Sequence, residues 1–175
     1  MMIISDRRTG EPLFEIPGQS LCGLDMRKFD LRYADLADLD LNGCNFQGMD
    51  LEGIQCSNSI MRKVNMEGCN LGEGIFTRID GTQANFRGSK LLMTAFSYAV
   101  LEEADFSGVI IEGMVNFRWI KARRAIFKNI ADLNGANFFE ADLTDAALDG
   151  SDFVRLSESD RTGIIATGTV FESLI

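Results

Sequence analysis

The chain has 175 residues, 26 of them acidic, 17 basic and none histidine, for a formal net charge of −9. This length fits a single domain. The absence of histidine excludes the side chain that acid–base catalysis at neutral pH uses most often. The charge is uneven, with 5 basic and 10 acidic groups in residues 1–61, 10 and 7 in residues 62–130, and 2 and 9 in residues 131–175.

The first 21 residues predict an N-terminal capping hairpin. Two short apolar runs, at residues 2–5 and 13–16, flank a polar stretch that contains Thr9 and Gly10, a pattern typical of a β-hairpin. We expect the hairpin to cover the open start of the repetitive region that follows. The N-terminus lacks the long apolar segment of a secretory signal, and no run of 18 apolar residues occurs. We therefore expect a cytoplasmic protein without a transmembrane helix.

In residues 22–155, nearly every fifth position holds a residue suited to a protein core, and most of these residues are large and apolar. Such a spacing fits neither an α-helix nor a β-strand. Residues five apart are spread around all sides of a helix and alternate between the two faces of a strand. A chain that turns a quarter revolution every five residues points all of them at one axis. Four repeats then close a square coil of 20 residues, and coils stack about 4.8 Å apart. The repeated positions are Leu31, Leu36, Leu41, Phe46, Leu51, Cys56, Met61, Met66, Leu71, Phe76, Phe86, Leu91, Phe96, Leu101, Phe106, Ile111, Phe117, Ala122, Phe127, Leu133, Phe138, Leu143, Leu148 and Phe153.

The other positions of the repeat support the same all-β solenoid of about six to seven coils. The residue two places before each repeated position is usually small, as at Ala34 and Ala104, and is predicted to point inward. The residue one place before it is often Asp or Asn, which bonds its own backbone and eases tight corners. Glycine often takes the last position, where a corner needs positive φ. One-residue slips at 111–117 and 127–133 predict bulges that push a residue outward.

Several of these units have the same short motif. It stands as Ala34-Asp35-Leu36, Ala84-Asn85-Phe86, Ala104-Asp105-Phe106 and Ala141-Asp142-Leu143. The motif resembles the A(D/N)LXX signature of the pentapeptide-repeat proteins, over about three quarters of the chain. The resemblance implies a right-handed quadrilateral β-helix. It also implies an alternative function, since some members linked to quinolone resistance mimic duplex DNA and bind DNA gyrase or topoisomerase IV.

The sequence predicts no catalytic, cofactor-binding or metal-binding residues. Cys44, Cys56 and Cys69 fall at inward positions on different sides or levels of the coils, so we expect them to act as core residues and not to pair. Without histidine, a zinc site is hard to assemble. Carboxylates at solvated corners lack the burial or like-charge pairing that would shift their pKa, and a closed square core leaves no substrate pocket. We therefore do not expect an enzyme.

Large apolar side chains at outward positions predict a protein-contact surface. Tyr98 and Trp119 should stack on adjacent coils at one corner, and Val100 and Phe139 should extend that apolar surface. A contiguous apolar patch usually marks an interface, although corner packing alone also explains these residues. A second outward pair is Leu92 and Met93. The sequence thus favours a non-enzymatic binding or scaffold protein with an unidentified protein partner.

Two other kinds of partner remain to be considered, a nucleic acid and a second copy of the chain. A 30 Å DNA duplex carries about 18 negative charges, about twice the net charge of this chain. The acidic pattern is broken by the basic cluster, defined as Arg118, Lys121, Arg123, Arg124 and Lys128. These five side chains should point to two or three sides of a coil, so direct nucleic-acid binding is not expected. Residues 156–175 are predicted to cap the last coil or, through 163–175, to form a homodimer.

Overall fold

The computed structural model describes residues 1–16, 20–153 and 156–169. Strands β1 (Met2–Asp6) and β2 (Pro12–Ile16) form an antiparallel hairpin. The elements that follow are β3 (Ala34–Asp35), β4 (Lys90–Leu92), β5 (Ile110–Glu112), β6 (Val115–Asn116), β7 (Ala136–Asn137) and the short helix α1 (Glu158–Arg161). Most other pairing consists of single parallel bridges, because the chain turns a corner every five residues and leaves room for little more.

Parallel pairing between residues 20 apart stacks the chain into coils. One column of bridges runs from Asp25 through Asn45, Asn65, Asn85 and Asp105. After the first slip the spacing becomes 21, as in the bridge of Ala95 to Asn116. The architecture is therefore a β-helix solenoid. No helix in the described part of the chain is long and apolar enough to cross a membrane.

The repeated positions form the core, as predicted. From Leu31 to Phe106 all of them are buried, and Ile111 at the first slip is only partly buried. Phenylalanines stack along two opposite columns of the core. In one column the Phe106 ring stacks on Phe86 at 4.7 Å and on Phe127 at 5.0 Å, measured between ring centroids. Rings of the opposite column meet them edge to face, as Phe96 meets Phe106 at 5.5 Å.

The corners of the coils are built as the repeat predicts. The Asp25 carboxylate accepts a hydrogen bond of 3.1 Å from the backbone N–H of Arg27, two residues on, and this contact recurs along the chain. The predicted glycines have positive φ. The structure adds that residues with large side chains take the same left-handed conformation at this position, among them Tyr98 and Trp119.

The predicted bulge at the first slip is confirmed. Pairing keeps a spacing of 20 up to Leu92 and Glu112 and has a spacing of 21 from Ala95 and Asn116 onward. Met114 is the residue pushed outward, with 73% of its surface exposed. At the second slip, Ala131 and Asp132 are exposed.

Both ends of the solenoid carry added structure. Strand β1 pairs antiparallel with β3, Ser5 opposite Asp35, so the hairpin occupies the edge where an earlier coil would lie. At the other end Ile165 bridges Asp142 across 23 residues, and Ile164 and Ala166 are buried. The described part of 156–175 thus packs on the preceding coil, with α1 as a short helical departure from the all-β prediction. Residues 170–175, part of the predicted self-association segment, lie outside the described residues.

Candidate protein-contact surface

An aromatic corner stands on the outside of the solenoid, formed by Tyr98, Trp119 and Phe139. The Tyr98 and Trp119 rings are parallel within 6°, with centroids 4.7 Å apart. The Phe139 ring meets Trp119 edge to face at 5.7 Å. Tyr98 and Trp119 occupy the same corner of adjacent coils, because the Tyr98 N–H bonds the Arg118 carbonyl, one residue before Trp119. Tyr98 remains 47% exposed.

Two arginines and a glutamate hold the aromatic corner in place. The Arg118 guanidinium carbon lies 4.3 Å from the Trp119 centroid and 4.9 Å from that of Phe139. Arg78 lies 5.3 Å from the Tyr98 centroid on the other side of the stack. The Trp119 indole Nε1 donates a hydrogen bond of 2.9 Å to Glu140 Oε2. Stacking between cations and rings, together with this bond, limits the rotation of the aromatic side chains.

The other predicted contact residues lie elsewhere. Val100 is half-buried on the next wall, bridged to Asp80 and Lys121, and does not join the aromatic stack. Leu92 and Met93 are exposed one corner earlier, five residues before the aromatic corner. Sequence reasoning missed Met114, which is exposed directly after Gly113, the residue at the same corner as Met93 in the next coil. The signal that would have found it is the slip in register, because a bulge must push one residue out.

A wall of low charge connects these two corners. Beyond the segment 34–37, which carries Asp35 and pairs with the hairpin, this wall has five segments, 54–57, 74–77, 94–97, 115–118 and 136–139, whose residues form parallel columns such as Gln55, Ile75 and Ala95. Arg118 is the one charged residue in these segments. We call this surface the low-charge wall. Thr77, Ala95 and Ser97 give it short side chains, so a partner can approach its backbone closely.

Ion pairs lie on the other walls, although the wall that begins at residues 29–32 carries only one, Arg32–Asp30, among the described residues. In the described part of the chain they lie on the hairpin and on the three remaining walls with their corners, and they include Arg62–Asp80, Arg87–Asp105 and Arg123–Asp142. Burial acts to raise the pKa of Asp142, but hydrogen bonds from Thr144 and Arg123 outweigh it and leave that pKa below its ordinary value. Binding a partner on these walls would require these charges to lose water.

The basic cluster is dispersed and largely neutralised. Arg123 pairs with Asp142 at 2.7 Å, Arg124 with Glu103 at 2.8 Å and Lys128 with Asp149 at 2.9 Å. Arg118 stacks on aromatic rings instead. Phosphate binding needs several cations that converge on one point, and this arrangement does not provide it.

The cysteines belong to the core, apart from Cys22, which is exposed. Burial raises the pKa of Cys44 and Cys69 to about 11, and it raises the pKa of Cys56 as well. The Cys44 thiol donates a hydrogen bond of 2.8 Å to the Leu21 carbonyl. Within the described ranges, no group of three His, Cys, Asp or Glu residues is placed to hold a metal ion.

The structure also contains a surface cavity of about 480 Å³ between the hairpin and the first coil. The prediction that a closed core leaves no pocket overlooked this space, because the cavity lies outside the core. Phe14 and Phe29 stack at 4.3 Å along it. Its arginines and aspartates satisfy one another, since Arg8 pairs with Asp6 at 2.7 Å and Arg32 pairs with Asp30 at 2.9 Å.

A square β-helix that turns every five residues, with Asp or Asn side chains bonded to the backbone at many of its corners, defines the class of protein. The family model for pentapeptide repeats matches in 8 copies at residues 18–48, 40–78, 82–113 and 116–153. The chain therefore belongs to the pentapeptide-repeat family. No curated protein sequence matches it.

Three solved structures are similar to this chain. Two are described as pentapeptide repeat proteins and one as a resistance protein. HetL, a pentapeptide repeat protein involved in heterocyst differentiation regulation in Nostoc sp. strain PCC 7120, is 21% identical, with 86% of this chain and 81% of HetL covered and a TM-score of 0.33. Rfr23 from Cyanothece 51142 is 19% identical, with coverage of 78% and 63% and a TM-score of 0.29. QnrB1, a plasmid-mediated fluoroquinolone resistance protein, is 16% identical, with coverage of 77% and 75% and a TM-score of 0.34.

Proposed function

We propose that this chain is a non-enzymatic protein-binding solenoid whose contact surface is the low-charge wall with its aromatic corner. The observation that carries the proposal is the stack of the exposed Tyr98 on the half-buried Trp119, beside a wall whose described residues form no ion pairs, in contrast to the other walls. Protein interfaces are depleted of charge at their centre and enriched in Tyr, Trp and Arg. Surfaces that only need to stay solvated resemble the three ion-paired walls.

The rigidity of the aromatic corner supports this function. Free aromatic and arginine side chains lose rotamer freedom when they bind, at about 0.5–1.5 kcal/mol for each immobilised side chain. Arg78, Tyr98, Trp119 and Arg118 are already ordered against one another. A partner therefore meets a surface whose conformation hardly changes on binding.

The test compares two double variants that alter the same corner position of the repeat. Tyr98→Ser with Trp119→Ser removes the aromatic stack, and Lys63→Ser with Gln83→Ser changes exposed side chains at another corner. All four residues have positive φ, so the backbone cost is matched. We expect immobilised wild type and the Lys63/Gln83 variant to retain the same host proteins, and the Tyr98/Trp119 variant to lose them. Equal retention by both variants would show that the aromatic corner is not the contact surface.

The alternative function, a DNA mimic that binds gyrase or topoisomerase IV, has less geometric support. Duplex DNA presents unbroken negative charge, whereas basic and acidic side chains alternate on the ion-paired walls here. A DNA mimic is expected to inhibit or protect gyrase in a supercoiling assay, in competition with DNA. We expect no effect in that assay.

The finer features of the fold and the location of the protein belong to the same proposal. A right-handed coil of six to seven turns is supported by family membership and by the column of bridged residues from Asp25 to Ala147. A cytoplasmic location is supported by four unpaired cysteines, since reducing compartments keep thiols free.

A further inference from the structure

We infer that the partner on the low-charge wall is a second copy of this chain, docked in parallel through a two-fold axis. This inference rests on the proposed function and names the partner for the same surface. It is carried by the way side chains at the two corners of the wall complement each other, coil by coil.

The two corners that flank the wall carry opposite chemistry at the same level. On one coil Glu73 stands at the first corner and Arg78 at the second, and both are exposed. On the next coil Met93 stands at the first corner, 59% exposed, and Tyr98 at the second. One coil further, Gly113 stands at the first corner, with the exposed Met114 directly after it, and Trp119 stands at the second.

With a two-fold axis that lies in the interface and runs parallel to the solenoid, the wall of one copy is complementary to the same wall of the other. The rotation keeps every residue at its own level and exchanges the two corners, as an isologous interface requires. Arg78 of one copy then faces Glu73 of the other, twice. Tyr98 faces Met93, and Trp119 faces the corner formed by Gly113, next to which Met114 lies. Thioether sulfur against aromatic rings is a favourable contact, and the charged pair fixes the register between the copies.

The wall between the corners permits the close approach that this pairing needs. Thr77, Ala95 and Ser97 are short, and Ile75 supplies apolar area at the level of the charged pair. Two of the other three walls are poor sites for a second copy. They carry arginines and aspartates that are already paired within one chain, and burying those pairs would cost hydration without a new partner.

The size of the wall predicts a reversible dimer. Five steps of about 4.8 Å along the stack and one side of about 16 Å give roughly 400 Å² per copy. Stable interfaces bury about 800 Å² per partner. The dimer is therefore expected to depend on concentration and to appear in the upper part of a range from about 1 µM to about 1 mM.

The experiment is a charge exchange read by sedimentation equilibrium or light scattering over that range. We expect Arg78→Glu and Glu73→Arg each to weaken dimerisation about tenfold or more, because like charges then face each other. The double variant should dimerise as wild type does. Lys63→Glu, a charge reversal at an exposed corner away from the wall, is the control and should change nothing. Circular dichroism of each variant checks that the solenoid is intact.

Three outcomes would overturn the inference. The first is a monomer at every concentration, and the second is a Tyr98→Ser/Trp119→Ser variant that dimerises like wild type. The third is a failure of the Arg78/Glu73 exchange to restore dimerisation. If Glu140→Arg rescues Arg78→Glu instead, the two copies are antiparallel and the parallel arrangement is wrong. The wild-type chain could also be a monomer while the Tyr98/Trp119 variant still loses the host proteins that wild type retains. That result would leave the proposed function intact and refute only the inference that the partner is a second copy.

Discussion

Gly53 illustrates how the adjacent coil restricts a corner residue. Its φ is +67°, and a Cβ added there would lie 2.2 Å from Cδ1 of Tyr33. The Tyr33 ring is itself held by Arg8, whose guanidinium carbon is 3.5 Å from the ring centroid. Gly48 has a similar φ of +72°, but a Cβ there would meet no atom within 4 Å. The two glycines therefore share a backbone requirement and differ in a side-chain contact.

This difference predicts unequal costs for the same substitution. Gly48→Ala should lower the free energy of unfolding by about 1 kcal/mol, the cost of left-handed backbone for a residue with a Cβ. Gly53→Ala should lower it by an additional 1–3 kcal/mol, roughly the cost of overpacking. Urea unfolding measures both. In a Tyr33→Ser background the two substitutions should cost the same, and a difference that persisted there would show that the ring is not the cause.

The sequence predicted the corners only in part. Positive φ was predicted where glycine stands, because glycine alone tolerates it freely. Tyr98, Trp119 and Met93 take the same conformation without that signal. Their backbone is fixed by the hydrogen bonds of the coil, as the Tyr98 N–H bonds the Arg118 carbonyl at 3.1 Å. Residue type predicts preference, whereas the stacked coil imposes conformation whatever the residue.

At the scale of the element, the column of phenylalanines carries much of the packing. Phe106 lies at its centre, stacked on Phe86 and Phe127 and edge to face with Phe96 and Phe117. Its side chain is fully buried. Loss of this ring leaves a cavity that a rigid stack of hydrogen-bonded coils closes poorly.

Phe106→Ala is therefore expected to lower the free energy of unfolding by about 3–5 kcal/mol. Phe139→Ala, which removes a half-buried ring at the outer corner, serves as the control and should cost clearly less. Guanidinium unfolding monitored by circular dichroism at the β-sheet band makes the comparison. Similar losses for the two variants would mean that the inner column does not dominate packing.

The ends of the solenoid were harder to predict than its middle. The five-residue pattern places the core from Leu31 to Phe106 because each repeat has one inward direction. Beyond Phe153 the helix α1 lengthens the spacing between coils to 23 residues. A search for a fixed five-residue period does not detect this longer coil, although its residues Ile164 and Ala166 are still buried.

At the scale of the whole molecule, the distribution of charge depends on coiling. Along the sequence the charge separates into acidic ends and a basic middle. Coiling brings together residues about 20 apart, so that Arg62 meets Asp80 and Arg123 meets Asp142. The low-charge wall follows from the same geometry. It is spread over five segments, each too short to be noticed in the linear sequence.

The buried thiols give the whole molecule a predictable response to alkaline pH. Burial raises the pKa of Cys44 and Cys69 from 9.0 to about 11. The unfolded chain therefore releases protons before the folded one, and the stabilising contribution of these thiols is complete below pH 9. It is lost as pH rises from 9 to 11, by at most about 2–3 kcal/mol for each thiol.

The free energy of unfolding is expected to fall over this range in wild type and to fall less in a Cys44→Ala/Cys69→Ala variant. Alanine fits these inward positions, as Ala84 and Ala104 show. Some pH dependence should remain, because the pKa of Cys56 is raised as well. Urea unfolding at pH 7.5, 9, 10 and 10.5 would measure the two slopes. Identical slopes would mean that these thiols are not protected in the folded core. Labelling of the thiols in the native protein would support that conclusion if it modified cysteines other than the exposed Cys22.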